Sequence, residues 1–166
     1  MHEINQSPYT IKNFLPLIII LCLIVACTVI LQLVYGFNIT EALYDFMGVF
    51  FLVFGGFKAI NLTGFVHAYR EYDLIAKKST LYAYLYPFLE VIVGIMYITR
   101  SQLIVANWIS VILMAASSIG VITALVQRKD ITCACLGDVF KIPMTYVTLA
   151  EDIIMGLMAF FMLMKQ

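Results

Sequence analysis

The chain has 166 residues, 63% hydrophobic and 12% charged, with ten Lys and Arg balancing ten Asp and Glu, and its mean hydropathy is +0.99. A water-soluble domain carries about twice that share of charge, which excludes a soluble enzyme, and the charges gather in short gaps rather than on one basic face, which leaves no footprint for nucleic acid. Five apolar runs, 14–35, 44–62, 82–98, 103–126 and 147–164, each come near the ~20 residues a spanning helix needs. They are apolar all round, unlike the alternating strands of a membrane barrel. The predicted fold class is all-α, an integral membrane helical bundle in a lipid bilayer, forming a single domain over 1–166.

The run at 14–35 follows a long polar stretch whose base is Lys12, and its apolar core exceeds the ~7–15 residues of a signal peptide. It is expected to be a retained helix. Cys22 and Cys27 are five apart, face different sides of that helix and read as small buried hydrophobes. The run at 44–62 carries Gly48, Gly55 and Gly56, which let backbones approach, and Lys58 about one turn from its end. The segment 64–78 is too polar to span. Phe65, Ala68, Tyr69, Tyr72 and Ala76 fall on one side and bases on the other, which predicts an interfacial amphipathic helix with its rings anchored among headgroups. His67 reads as an interface residue.

The shortest run, 82–98, contains Pro87, expected to kink it and free a backbone carbonyl near Glu90. The run at 103–126 holds the small residues Ala115, Ala116, Ser117 and Ser118. Before the last run stands Cys133-Ala134-Cys135-Leu136-Gly137. Two thiols one residue apart, where water meets lipid, can form a thiolate that attacks a disulfide or holds a soft metal. The last run carries Glu151 and Asp152 about one turn in, and its methionines Met155, Met158, Met162 and Met164 read as packing residues.

Bases set orientation, because short Lys- and Arg-rich loops stay in the cytoplasm. Lys12, Arg70, Lys77, Lys78, Arg128, Lys129 and Lys141 lie on one side and only Arg100 and Lys165 on the other. The N-terminus and the Cys-x-Cys loop are therefore expected to be cytoplasmic and the C-terminus outside, in a bacterial inner membrane. Ionisable groups inside spans cost several kcal/mol unless paired or hydrated. Lys58, Glu90, Glu151 and Asp152 should share the inner half of the bilayer. In one reading Lys58 and Glu90 form a pair that fixes helix register, and Asp152 is a first-turn residue favoured by the helix dipole. In the other, Lys58, Glu90 and Glu151 line a polar cavity under the thiols, closed by Tyr69, Tyr72 and Asp73, that moves protons or lowers thiol pKa.

The stretch Phe54-Gly55-Gly56-Phe57-Lys58, then Phe65, Tyr69, Tyr72-Asp73, and Tyr86-Pro87-Phe88-Leu89-Glu90 with Gly94 resembles the signature of the MauE/DoxX-like redox-associated membrane proteins. Cys133-Ala134-Cys135-Leu136-Gly137, Pro143, Val147-Thr148-Leu149 and Glu151-Asp152 resemble one branch of that family. The likeness covers roughly 44–164. It implies a core of four spanning helices, here with one extra at the N-terminus, and a link to disulfide chemistry. MauE itself is associated with forming the disulfide-rich small subunit of methylamine dehydrogenase, but nothing in these residues points to methylamine. Proteins of the Cys-Ala-Cys-Leu-Gly branch resemble ones with a heavy-metal-associated domain before the first helix, a domain not found in this sequence.

The leading expectation is a membrane thiol-redox protein in which Cys133 and Cys135 exchange disulfides or electrons with a thiol-containing partner protein or a quinone. Exchange needs a thiolate, an accessible sulfur and a resolving thiol. A disulfide across one intervening residue closes a strained ring, suited to a carrier rather than a staple. The expected cytoplasmic location counts against it, because oxidative folding takes place outside. An alternative is binding or transport of a soft heavy metal, copper, mercury or zinc, on Cys133 and Cys135, with a metallochaperone as partner. A zinc site needs two further ligands, which His2 and His67 are not placed to supply. A second alternative is a non-catalytic membrane scaffold. No nucleophilic triad or phosphate-binding glycine loop is present.

Overall fold

Short polar residues mark where the apolar runs turn into helices. The computed structural model describes residues 11–127, 132–133, 142–143 and 146–165. Six helices follow in order: α1 (Ile11–Tyr35), α2 (Ile39–Ile60), α3 (Leu62–Tyr69), α4 (Thr80–Ile98), α5 (Leu103–Val126) and α6 (Tyr146–Met164). Between α5 and α6, β1 (Thr132–Cys133) pairs antiparallel with β2 (Ile142–Pro143), Cys133 opposite Ile142. Gly36, at φ 92, breaks the chain after α1. The Asn38 side chain then accepts the Thr40 and Glu41 amides, satisfying donors that a helix start leaves free. This cap starts α2 at Ile39, ahead of the apolar run at 44–62. Asn61 ends α2 and caps α3 by accepting the Gly64 amide, and Ser79 caps α4 by accepting the Tyr82 amide.

Among the described residues four helices, α1, α2, α4 and α5, are long and apolar enough to cross a membrane, and α6 has 19 residues. The core consists of two helix pairs, α2 along α4 and α5 along α6, with α1 laid on α2. β1 runs beside α3 and β2 beside α1. Large apolar side chains such as Ile92, Ile95, Ile112 and Phe160 face outward, while Asp45, Lys58, Glu90, Asn107 and Ser110 are buried. Such a distribution suits a hydrocarbon solvent, where polar groups must find partners inside the protein.

α2 and α4 are nearly in backbone contact. A Cβ added at Gly94 would lie 2.9 Å from the Leu52 amide nitrogen and 3.0 Å from the Gly48 carbonyl oxygen; one at Gly55 would lie 3.0 Å from both the Pro87 carbonyl oxygen and the Glu90 Cβ. α4 runs on through Pro87, which is buried in this contact.

The amphipathic helix expected over 64–78 stops at Tyr69. Beyond it the Glu71 and Tyr72 amides bond to the Ala68 and Tyr69 carbonyl oxygens, and Asp73 Oδ1 accepts the Ile75 and Ala76 amides at 2.9 and 2.7 Å, which keeps the chain in turns. The rings expected among headgroups point inward instead: Phe65, Tyr69 and Tyr72 are buried, as is Ala76. The segment thus forms a strap folded over one end of the bundle, and its Asp73 Cα would lie 3.2 Å from a Cβ added at Gly120 of α5.

Gly94→Ala is expected to lower stability by about 1–3 kcal/mol, because the added methyl meets backbone atoms and the helices must separate. Gly56→Ala, where a Cβ meets nothing within 4 Å, should stay close to wild type. Unfolding midpoints of the two variants in detergent check the contrast.

Candidate polar cavity and its closing strap

A cavity of about 30 Å³ lies where the two helix pairs and the strap meet. That is room for a water molecule or two. Five helices and the strap share its polar and aromatic lining. α2 supplies Lys58 from its last turn, α3 the Phe65 and Tyr69 rings, the strap Tyr72, α4 Tyr86 and Glu90 one turn apart, α5 Ser117, and α6 Thr148, Glu151 and Asp152.

Lys58 Nζ donates to Glu90 Oε1 at 2.5 Å, with both side chains buried. The same ammonium sits 4.9 Å from the centre of the Tyr86 ring and 5.7 Å from that of Phe65, so two π-faces supplement the carboxylate. Ser117 Oγ donates to Asp152 Oδ2 at 2.7 Å. Glu151 Oε1 is buried with no hydrogen-bond partner among the described residues. Three carboxyl groups therefore surround one ammonium.

Rings close the roof. Tyr69 stacks on Phe65 at 5.0 Å, leans on Tyr86 at 4.8 Å and meets Tyr72 edge-on at 5.5 Å. Burial, reinforced by Tyr86, Tyr82 and Asp73, pushes the Tyr69 phenol well up, so it stays a neutral O–H group.

Of the residues singled out in the sequence, Lys58, Glu90, Glu151, Asp152, Tyr69 and Tyr72 all line this cavity. Asp73 does not; its carboxylate shapes the strap from beside it. Cys135 lies outside the described residues, as do Arg128, Lys129 and Lys141, and Cys133 is described by its backbone in β1 alone. Among the described residues no group of three or more His, Cys, Asp or Glu side chains is placed to hold a metal ion.

Tyr86, Ser117 and Thr148, which the sequence marks only within the family resemblance or as a small residue, also line the cavity. Tyr86 stands four residues before Glu90, and that spacing by itself puts it on the same helix face. A second polar network, which the sequence does not signal, lies at the opposite end of α2 and α4. There Arg100 donates to Glu41 Oε2 and Asp45 Oδ1, each at 2.7 Å, and Gln32 Nε2 of α1 donates to Asp45 Oδ2 at 2.7 Å. Partial burial opposes the Arg100 charge, but the bonds to Asp45 and Glu41 outweigh it and raise its pKa.

In comparison with known proteins, a family model described as Methylamine utilisation protein MauE matches residues 36–165. No curated protein and no solved structure matches the chain.

Either Lys58→Met or Glu90→Leu alone leaves a buried charge without its partner and should cost about 3–5 kcal/mol. The double variant, apolar on both sides, should regain most of that loss. Unfolding midpoints of the four proteins close the cycle, and a double variant as unstable as the worse single one would refute a dominant pairing role.

Proposed function

The chain belongs to the MauE family, and from that premise we propose a membrane thiol-redox protein in which Cys133 and Cys135 cycle between dithiol and disulfide. In each turn one thiolate attacks a sulfur of a partner's disulfide to give a mixed disulfide. The second thiolate displaces the partner, which leaves as a dithiol carrying the two electrons, while Cys133 and Cys135 end as a disulfide. A quinone as acceptor would take the same two electrons and two protons to become a quinol.

The observation that carries this reading is the closeness of β1, with Cys133 in it, to α3, the helix whose Phe65 and Tyr69 roof the cavity. In this reading Lys58, Glu90, Glu151 and Asp152 tune the thiols across α3. Tyr69 and Tyr72 keep lipid and bulk water out, and Asp73 holds the strap in place. The proposed setting is a bacterial inner membrane with the N-terminus and the Cys-x-Cys loop in the cytoplasm.

Thiol labelling of purified protein across a series of redox potentials, beside elemental analysis, tests it. The expected result is a metal-free pair that titrates reversibly as one two-electron couple and is lost in Cys133→Ser and Cys135→Ser. Stoichiometric copper, zinc or mercury that protects the pair and disappears in those variants would overturn it in favour of metal transport. The Lys58→Met and Glu90→Leu double variant, if folded, should shift the potential or the labelling rate.

A further inference from the structure

The strap has two faces with opposite chemistry. Tyr69, Tyr72, Asp73 and Ala76 are buried, whereas Arg70, Glu71, Leu74, Ile75, Lys77 and Lys78 are exposed. Leu74 and Ile75 keep 43% and 46% of their surface accessible. They stand at the tip of the turn that Asp73 Oδ1 locks by accepting the Ile75 and Ala76 amides, and Lys77 and Lys78 close the same turn through amide bonds to Asp73 and Ile75 carbonyl oxygens. The tip is therefore held in shape before it meets any partner. It joins the end of α2 to the start of α4, both long enough to cross a membrane, so it lies at a membrane face.

We propose that this outer face of the strap binds anionic phospholipid, with Leu74 and Ile75 set among acyl chains and Arg70, Lys77 and Lys78 on headgroup phosphates. The charge balance points to an anionic partner. Three bases stand against one exposed acid, Glu71, which has His67 Nδ1 at 3.8 Å, while the Asp73 carboxylate is turned inward. Exposed bases with an apolar tip between them match a surface where phosphate lies directly above hydrocarbon. A soluble acidic protein would satisfy the bases but leave Leu74 and Ile75 against a polar partner. Because the strap's other face carries Tyr69 and Tyr72 over the cavity, lipid held on the outside would keep the cavity shut. The inference does not depend on the thiol chemistry.

The test uses the full chain in nanodiscs of phosphatidylcholine alone or mixed with phosphatidylglycerol. Native mass spectrometry should find phosphatidylglycerol retained selectively, and Arg70→Gln, Lys77→Gln and Lys78→Gln should each weaken that retention roughly fivefold. Lys165→Gln, a base at the far terminus of α6, should leave it unchanged. In a separate variant, Leu74→Trp, brominated acyl chains should quench the indole. Equal retention by the wild type and a triple Gln variant, or an indole that brominated lipid leaves unquenched, would overturn the proposal. An indole quenched by an aqueous quencher instead would assign the face to water or a soluble partner. Circular dichroism of each variant guards against loss of fold, and if the triple variant is unfolded the Leu74→Trp readout still decides.

Discussion

The ammonium of Lys58 in the interior of the bundle is the constraint from which the surrounding structure follows. In hydrocarbon such a charge is costly unless it is paired or hydrated, and Glu90 pairs it across the α2–α4 seam. The pair requires those helices to lie close, and the glycines make that possible. A side chain at Gly55 would press on the Glu90 Cβ and one at Gly94 on the α2 backbone. Charge pairing and close packing thus depend on each other. The Tyr86 and Phe65 rings complete the enclosure, with π-faces turned to the ammonium.

The same cavity is also where the two helix pairs are joined. α2 and α4 bring the base, one acid and the aromatic wall, while α5 and α6 bring Ser117, Glu151 and Asp152. Two carboxyl groups in excess of one ammonium contribute little to packing. A purely structural seam would be served better by apolar side chains, since replacing a buried ion pair with them is often neutral or stabilising. Here Lys58, Glu90, Ser117, Glu151 and Asp152 instead line one small cavity under the strap.

Much of this was legible because a membrane punishes errors of composition. The apolar runs and the ionisable residues inside them, Lys58 and Glu90 above all, stand out against a background that can hold few charges. The strap was not legible. Its spacing is that of an amphipathic helix, and periodicity says which residues share a face but not whether that face meets lipid or protein. Asp73 decides the matter locally, by taking backbone amides that a continuing helix would have used. Tertiary contact then decides it globally, because Phe65 and Tyr69 have a ready aromatic partner in Tyr86 and Tyr72 meets Tyr69 edge-on. The network at the other end was hidden for a different reason. Asp45 and Arg100 are 55 positions apart, and nothing local in the chain marks them as neighbours.

That second network also explains how an extra helix attaches to the family core. The family match starts at residue 36, directly after α1 ends at Tyr35. Arg100 and Gln102 turn the chain between α4 and α5 with positive φ values of 57 and 49, a conformation that costs about 1–2 kcal/mol per residue. Asp45 and Glu41 hold Arg100 in that turn. Asp45 has a second oxygen, and Gln32 of α1 donates to it. The Gln32 carbonyl oxygen in turn accepts the Asn38 amide at 3.0 Å, so its amide is used on both sides. Docking α1 therefore adds Gln32 to an acceptor that the α4–α5 turn already needs, while the buried Thr28 hydroxyl is satisfied within α1 by the Ile24 carbonyl oxygen. Leu17, Ile20 and Ile24 supply the remaining buried apolar contact.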